Sequence, residues 1–340
     1  MDRRIVDEVL SDLTPPGLDK TEAFTELKGY ASVPFSEKRF TPLTPTDRSL
    51  ISVDGGNQEI LGNSTMSFSF LRVCGVIVAP GKKRRIEKKE QYLLVRTRIK
   101  DGRPLFEARI LREGEEDDII TIDPMEESLR RGMYKATPQD AVGLIRRVSE
   151  LRLAEVLVKE AEQGCLVVID GTLQCFFAAE QDALISLLAT AKSRKVDVCA
   201  LAKSSQFSTA RGDSISAALL ANEPIPIWIY HPLLETDLVN HPAEIAFAKL
   251  HPRARKAFRF EVPKGDDPVA AAYGLVGDST DPVFFGYPYG LVMADRFGRV
   301  QNEEIDYLKT RLFSLAKDRQ DLIDMILADT DSHRILDTTR

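Results

Sequence analysis

Two short stretches of the sequence have the same pattern, an apolar run that ends in aspartate followed by glycine. LISVDGG, residues 50–56, carries Asp54, and LVVIDG, residues 166–171, carries Asp170. Two carboxylates held close together repel each other, and a divalent cation removes that cost because such cations prefer oxygen ligands. Two metal ions held in this way activate water and stabilise the leaving oxygen in phosphodiester cleavage. The pair therefore predicts a metal site suited to phosphoryl chemistry.

Each aspartate also has a plainer explanation, since aspartate before glycine is a common turn residue. For either one alone the turn explanation is the stronger, and the recurrence of the pattern after two apolar runs favours the site. If the two runs are neighbouring parallel strands, their carboxyl ends lie at one edge of the sheet, where open α/β sheets bind ligands.

A helix between the two runs offers a third carboxylate. Thr137 and Pro138 predict its N-cap and first turn. Apolar residues then recur at helical spacing, at Val142, Ile145, Val148, Leu151 and Val156. Glu150 and Glu155 are both candidates to face the same edge of the sheet, and the spacing leaves the choice between them open.

The order of predicted elements indicates the fold class. A strand with Asp54 precedes a hairpin of two strands (66–79 and 91–99), the long helix and the strand with Asp170. A helix at 177–193, strands at 196–205 and 224–232, and helices at 268–276 and 302–327 follow. Short buried strands alternating with helices predict a partly parallel sheet covered by helices, and the hairpin makes the sheet mixed. This α/β order resembles the ribonuclease H-like fold, although a fold alone does not give a function.

The composition limits the class of protein. The 340 residues carry a net charge of −6, which argues against a protein that coats nucleic acid non-specifically but not against a local basic groove. The charged N-terminus lacks an apolar signal core, so we expect an uncleaved, cytoplasmic protein outside the membrane. The four cysteines are scattered, which predicts buried free thiols.

Three basic features suit a nucleic-acid phosphate. Lys203, in ALAKSSQ, follows a predicted buried strand, and basic runs occupy residues 81–89 and 251–259. Lys203 would offset the charge of a scissile phosphate, and the runs would follow a DNA backbone. A solvated strand end and charge-protected surface turns explain the same residues equally well.

Three motifs together resemble the NurA nuclease family. They are SVDGG at 52–56, VVIDGTLQ at 167–174, and FFGYPYGLVMADRFGRVQNEE at 284–304. The family has Asp-Gly after a first strand, a second Asp-Gly-(Ser/Thr)-Leu, and a late Gly-Tyr-Pro-Tyr segment. The resemblance runs in order from about residue 50 to 315, within a predicted nuclease-like domain at 50–328. An N-terminal extension of helix and loop (1–49) and a C-terminal tail (329–340) flank that domain.

The resemblance implies a ribonuclease H-like DNA nuclease that depends on Mn²⁺, with Mg²⁺ as a second candidate. It implies 5′–3′ exonuclease and single-strand endonuclease activity in DNA end processing and double-strand break repair. It also implies a homodimer that works with a HerA-type hexameric ATPase.

The resemblance also assigns site residues. Asp54 and Asp170 match the family's metal-binding aspartates, and Glu150 matches its helical glutamate, with Glu155 as the fallback. Family members resemble this chain in having a lysine at the position of Lys203, and Tyr287 matches the late tyrosine. Where the family leads us to expect a histidine, this chain has Asp295. Aspartate remains a good oxygen ligand for Mn²⁺ or Mg²⁺, but it does not titrate near neutral pH as histidine does.

Two other functions fit parts of the pattern. A non-catalytic ribonuclease H-like binding subunit of a DNA translocase complex would explain the change to Asp295. A phosphotransferase of the actin-like ATPase type also uses strand-end Asp-Gly pairs, but the sequence has no GxxxxGK[ST] phosphate loop that would demand nucleotide binding.

Overall fold

The computed structural model describes residues 2–12, 29–112, 117–126, 129 and 136–328, which form two compact units. The first unit contains described residues of 1–47, 171–173 and 199–289, and the second contains those of 48–170, 174–198 and 290–340. The boundaries expected at residues 49/50 and 328/329 stay a prediction, and the expected tail at 329–340 lies outside the described residues.

The strands and helices have the following bounds. The strands are β1 (Tyr30–Ser32), β2 (Phe40–Pro42), β3 (Leu50–Gly62), β4 (Met66–Val78), β5 (Arg85–Lys100), β6 (Arg103–Leu111), β7 (Asp118–Ile122), β8 (Leu166–Asp170), β9 (Asp197–Ala202), β10 (Trp228–Thr236), β11 (Ala243–Lys249) and β12 (Phe258–Pro263). The helices are α1 (Arg3–Asp12), α2 (Pro138–Glu160), α3 (Ala178–Arg194), α4 (Ile215–Ala221), α5 (Pro268–Val276), α6 (Tyr289–Gly298), α7 (Asn302–Leu315) and α8 (Gln320–Ala328).

The second unit contains a mixed sheet in the order β8-β3-β4-β5-β6-β7. β3 and β8 are parallel, and the remaining neighbours are antiparallel. Helix α2 packs against β3, β4 and β5 and against α3, while α6 and α7 contribute apolar side chains that pack on β3 and β4. The predicted α/β class, a mixed sheet covered by helices as in ribonuclease H-like folds, is confirmed.

Helix α2 begins where the sequence predicts. Thr137 and Asp140 form a reciprocal capping box, and Pro138 occupies the first turn, where its missing N–H costs nothing. The predicted apolar positions from Val142 to Leu151 are buried, but Val156 is 49% exposed. The prediction that Val156 belongs to the buried face of the helix was therefore wrong.

β3 differs from the sequence prediction in its length. The apolar run was expected to end as a strand at Asp54, but β3 continues through Gly55 and Gly56 to Gly62. Antiparallel pairing with β4 continues past Asp54, whereas the parallel pairing with β8 ends at Val53 and Ile169. Asp54 thus marks the end of the parallel ladder and not the end of the strand, because β4 still satisfies the backbone beyond it.

The first unit contains antiparallel strands in the order β1-β10-β11-β12-β9, and β2 also pairs with β10. β1 and β2 belong to the stretch expected as an N-terminal extension of helix and loop. The core of this unit contains large aromatic side chains, among them Phe35, Phe40, Trp228, Tyr230 and Phe247.

Two further sequence predictions concern the whole chain. The four cysteines are free and buried, as predicted. None of the described helices is both long and apolar enough to span a lipid bilayer.

Candidate active site

The strands that carry Asp54 and Asp170 are neighbours in the second unit. The parallel ladder pairs Val53 with Ile169, so Asp54 and Asp170 are the next residues in register on strands about 4.8 Å apart. Asp54 is 5% exposed and its Oδ1 accepts the Gly55 N–H at 2.7 Å, while Asp170 is half-buried. The predicted adjacency of the two strands is therefore confirmed.

Glu150 comes to the same place from α2. It is 3% exposed, and a Cβ added to Gly55 would lie 3.0 Å from its Oε1. Arg146 Nη1 donates to Glu150 Oε1 at 2.8 Å and to the Gly55 carbonyl at 2.6 Å, and lies 3.8 Å from Asp54 Oδ1. The structure thus brings Asp54, Asp170 and Glu150 together within one unit.

Arg147 makes a second link between the helix and the strand ends. Its Nη1 donates to Glu150 Oε2 at 3.4 Å and to the Asp170 carbonyl at 3.0 Å. Its Nε lies 3.7 Å from Oε1 of Glu180, which is 3% exposed. Sequence reasoning missed Arg146, Arg147 and Glu180, although positions three and four residues before Glu150 on a helix were a usable signal for the arginines.

The charge of Glu150 is only partly compensated. Burial is the largest influence on the pKa of Glu150 and raises it, Arg146 and Arg147 lower it, and the charge of Asp170 raises it again, so that the pKa stays above its ordinary value. Burial likewise raises the pKa of Glu180, against a hydrogen bond from the Phe176 N–H and the charge of Arg147. This part of the unit therefore concentrates negative charge that two arginines do not fully offset.

Asp295 reaches the region on α6. A Cβ on Gly56 would lie 2.6 Å from the Gly298 carbonyl oxygen, so only glycine allows α6 to approach β3 this closely. Cys74, opposite Asp54 in the β3–β4 ladder, packs with Ala294, which places Asp54 on the α6 face of the sheet. Asp295 follows Ala294 and pairs with Arg299 at 2.8 Å.

The donors suit a hard divalent cation in chemistry, because every candidate is a carboxylate oxygen. Within the part of the chain that the structure describes, however, no group of three or more His, Cys, Asp or Glu side chains is arranged to hold a metal ion. The Arg146 guanidinium lies within 4 Å of both Asp54 and Glu150. The residues thus fit a cation by donor type, but they are not preset around one.

Glu155, the alternative to Glu150, has different neighbours. It accepts hydrogen bonds from Ser186 at 3.0 Å and Thr190 at 3.3 Å, both on α3, and pairs with Lys159 at 2.8 Å. Only Glu150 of the two contacts the arginines that reach the Asp-Gly motifs.

Lys203 and Tyr287 lie in the first unit and contact each other. Lys203 Nζ is 5.4 Å from the centre of the Tyr287 ring, a cation–π distance. Tyr287 is 1% exposed and packs on Phe258 and Phe284, with ring centres 5.2 Å away in each case. Tyr287 is thus a core residue that supports Lys203, and its expected contact with a phosphate or base stays a prediction.

Leu173 of the second Asp-Gly motif is held by a buried polar network in the first unit. Its N–H donates to Glu261 Oε2 at 2.7 Å, and His241 Nε2 lies 2.9 Å from the same oxygen. Arg259 pairs with Oε1 of Glu261, and His241 Nδ1 lies 2.8 Å from the Tyr30 hydroxyl. Sequence reasoning missed this network, whose members are scattered along the chain.

Several residues of the two basic runs have partners within the protein. In the run at 81–89, Lys82 pairs with Glu162 at 2.5 Å and Arg85 with Glu160 at 2.8 Å, at the end of α2 and just beyond it. In the run at 251–259, Arg253 lies on the Phe285 ring and Arg259 on the Phe207 ring, at 4.6 Å and 4.1 Å.

No protein-family model matches the sequence, and no curated protein matches it either. Among solved structures, the NurA nuclease from Sulfolobus solfataricus is 15% identical, with 94% of this chain and 98% of that chain covered and a TM-score of 0.54. The chain has the NurA fold. The family resemblance inferred from three sequence motifs is therefore confirmed at the level of the fold.

Two more distant structures are also similar. A second NurA structure is 10% identical over 82% of this chain and 91% of that chain, with a TM-score of 0.45. Endonuclease V from Ciona intestinalis, in complex with DNA, is 12% identical over 78% of this chain and 92% of that chain, with a TM-score of 0.37.

Proposed function

We propose that this chain is a metal-dependent DNA nuclease. The observation that carries the proposal is the parallel register of β3 and β8, which makes Asp54 and Asp170 neighbours, with Glu150 buried beside Gly55. Two neighbouring aspartates at the end of a parallel ladder and a buried glutamate with a raised pKa, which Arg146 links to Asp54, are typical of a functional site.

Each residue has a defined role in this proposal. Asp54, Glu150 and Asp170 would hold Mn²⁺, or Mg²⁺, with Asp295 completing the ligand set. A bound divalent cation supplies an activated water and charge stabilisation for phosphodiester hydrolysis. Arg146 and Arg147 orient Glu150 and keep the two Asp-Gly backbones in place through their carbonyls.

The remaining groups act on the phosphate. Lys203 offsets the charge of the phosphodiester, and the buried Tyr287 ring holds the lysine in position. A chain with a net charge of −6 needs such local basic groups to bind DNA at all.

The finer activity follows the family resemblance. We propose 5′–3′ exonuclease and single-strand endonuclease activity in DNA end processing and double-strand break repair, by a homodimer that works with a HerA-type hexameric ATPase. The support for this assignment is the order of the three motifs and the NurA fold.

The test is a gel assay of the full chain on end-labelled single- and double-stranded DNA, with Mn²⁺, with Mg²⁺ and with EDTA. We expect degradation that depends on the metal and disappears in the Asp54→Asn/Asp170→Asn double variant, because the substitutions keep the side-chain shape and remove the charge. The matched control is Glu155→Gln, which should retain full activity. Absence of cleavage in either metal, with the ATPase also present, would contradict the proposal.

A second function has its own supporting observation. Two arginines already contact Glu150, and Arg299 pairs with Asp295, as expected of a charge-neutralised site in a non-catalytic binding subunit. In that case the Asp54→Asn/Asp170→Asn variant would bind the ATPase and DNA as the wild type does, and the wild type would cleave nothing. Metal-dependent cleavage by the wild type excludes this alternative.

A further inference from the structure

The motif around Lys203 and the basic run at 251–259 meet at one small pocket of the first unit. We propose that this pocket binds a single phosphate group, and that in the working protein it holds a backbone phosphate of the DNA strand. Its volume is about 150 Å³, and its polar lining consists mainly of Lys203, Ser204, Ser205, Ser216, Lys256 and Arg259, which we call the phosphate pocket. The assignment to DNA rests on the proposed function, whereas the binding of phosphate does not.

Strand pairing explains why the two motifs meet. β9 and β12 are antiparallel, with Ala202 opposite Arg259. The residues that follow β9 therefore lie beside those that precede β12, and Lys256 Nζ donates to the Lys203 carbonyl at 3.4 Å. The two lysines thus converge because the ladder brings together one strand end and one strand start.

The charge of the phosphate pocket has one sign. Three of its lining residues are basic, and the described residues that line it include no Asp or Glu. Lys256 is exposed and Lys203 half-buried, so the pocket is open to an anion from solvent. Arg259 is paired with Glu261 behind the lining, so the two lysines supply the positive charge that favours an anionic ligand.

Arg259 supplies a buried donor. The residue is 7% exposed, and its Nε donates to Glu261 Oε1 at 2.5 Å. Its Nη2 also lies 2.5 Å from that oxygen, so Glu261 compensates the Arg259 charge from within the protein. Arg259 therefore lines the phosphate pocket as a buried cation that is already paired, and the charge that attracts an anion comes mainly from Lys203 and Lys256.

Of two serines in the lining, one can donate to a ligand and the other holds the pocket wall in place. Ser205 Oγ accepts the Phe207 N–H at 3.2 Å, so its own hydroxyl hydrogen can point elsewhere. Ser216 accepts the Ala257 N–H at 3.0 Å and donates to the Ala257 carbonyl at 2.8 Å, which holds the start of β12 against α4. The hydroxyl hydrogen of Ser216 is thus used within the protein, and Ser205 adds a neutral donor to the charged ones, a combination that phosphate recognition commonly uses.

The volume identifies the size of the ligand. Sites for drug-sized molecules and nucleotides have roughly 300–1,000 Å³, so this pocket admits an ion-sized group but not a base and sugar. Phosphate is the group that matches the size, the charge and the donors. It can come from inorganic phosphate or from a nucleic-acid strand whose sugar and base remain outside.

The first experiment measures inorganic phosphate binding to the full chain by calorimetry and by the shift in Tm, which rises with the ratio of ligand concentration to Kd. We expect the wild type to bind, Lys256→Glu to lose at least tenfold in affinity, and Lys256→Arg to retain it. The matched control is Lys192→Glu, the same charge change at an exposed lysine near the end of α3. Equal affinity in Lys256→Glu and wild type, or no binding by the wild type at 50-fold excess over protein, would overturn the pocket.

The second experiment measures binding of a labelled single-stranded oligonucleotide over a range of salt, in EDTA so that the strand stays intact. The slope of the logarithm of the binding constant against the logarithm of the salt concentration is negative. Its magnitude should decrease by about 0.7 in Lys256→Ala, which loses one phosphate contact, but not in Lys192→Ala. Inorganic phosphate should compete with the oligonucleotide in the wild type. If phosphate binds without competing with the oligonucleotide, and the salt slope of Lys256→Ala equals that of the wild type, the pocket takes free phosphate only and the DNA assignment is wrong.

The two proposals fail separately. A wild type that cleaves no DNA in any metal, but loses oligonucleotide binding in Lys256→Glu, would overturn the nuclease and support the phosphate pocket. Metal-dependent cleavage with unchanged DNA binding in Lys256→Glu would support the nuclease and overturn the assignment of the phosphate pocket to DNA.

Discussion

Two buried glutamates of this protein sit beside arginines and have pKa values displaced in opposite directions. Glu150, in the second unit, is 3% exposed and its pKa is raised, while Glu261, in the first, is fully buried and its pKa is lowered. Burial alone raises the pKa of both carboxyls, because it disfavours the charged form. The difference therefore lies in what surrounds each carboxylate.

Glu261 has a full set of favourable partners. A hydrogen bond with His241, the charge of Arg259 and the Leu173 N–H together outweigh the effect of burial on its pKa. Glu150 has Arg146 and a longer contact to Arg147, but the negative charges of Asp170 and Glu180 lie nearby. A carboxylate satisfied by the protein stabilises the fold, whereas one left partly unsatisfied is available to a cation.

The largest expected effect is on activity at Glu150. Glu150→Gln should lower DNA cleavage on the order of 10³-fold, since metal ligands supply several kcal/mol of transition-state stabilisation. The same variant without metal should be about 0.5–2 kcal/mol more stable, as is common when an unfavourable active-site group is replaced. Nuclease assays and urea unfolding measure the two effects, with Glu155→Gln as the control. A Glu150→Gln variant that is fully active and less stable than the wild type would contradict the contrast between Glu150 and Glu261.

The next effect is on stability at Glu261. Glu261→Gln should lose about 3–5 kcal/mol, because it leaves the Arg259 charge buried without its partner. Urea unfolding followed by circular dichroism gives this value directly. A loss below 1 kcal/mol would mean that the network around Glu261 contributes little, and the contrast with Glu150 would disappear.

Glu261 and Glu150 should change the stability of the protein in opposite directions at neutral pH. The pKa of Glu261 is lowered in the folded state, so its contribution to stability is complete above the unfolded value of roughly 4.3 and is lost as pH falls through the folded pKa. The pKa of Glu150 is raised in the folded state, so this residue costs stability above that folded pKa, and the cost shrinks as pH falls below it and is gone below the unfolded value.

The measurement is the free energy of unfolding of the wild type and both Gln variants from pH 7 to pH 3. The free energy of unfolding should be lower than that of the wild type in Glu261→Gln and higher in Glu150→Gln. Both differences should be largest at pH 7 and smaller in acid. Differences of the same sign for the two variants contradict the assignment.

The smallest expected effects concern glycine. Gly56→Ala puts a methyl group 2.6 Å from the Gly298 carbonyl oxygen, so α6 must shift, and we expect a loss of about 1–3 kcal/mol together with reduced cleavage. Gly143→Ala, in α2, meets nothing within 4 Å and should gain about 0.5–1 kcal/mol with unchanged cleavage. Equal effects of the two variants would show that the approach of α6 to β3 does not matter.

Much of the candidate site was predictable because its signals are local. An apolar run followed by Asp-Gly identified Asp54 and Asp170, and Thr137-Pro138 identified the start of the helix that carries Glu150. The continuation of β3 past Asp54 was not predictable in this way, because two successive glycines normally favour a turn and only the pairing with β4 overrides that preference.

The partners of the two glutamates depend on tertiary contacts that no local pattern encodes. Arg146 and Arg147 look like ordinary solvated helix residues in the sequence. His241 and Glu261 are far apart along the chain from Tyr30 and Leu173, and only the order of the strands brings them together. The same holds for Lys203 and Arg259, which meet because β9 and β12 are neighbours.

The most direct test of the central claim is a calorimetric titration of Mn²⁺ into the full-length wild type, Glu150→Gln and Glu155→Gln. If Asp54, Glu150 and Asp170 hold the cation, the wild type and Glu155→Gln bind Mn²⁺ with the same affinity, and Glu150→Gln binds at least tenfold more weakly. Equal binding by all three proteins, or no binding by the wild type, would contradict the assignment of Glu150 and its neighbours as a metal site.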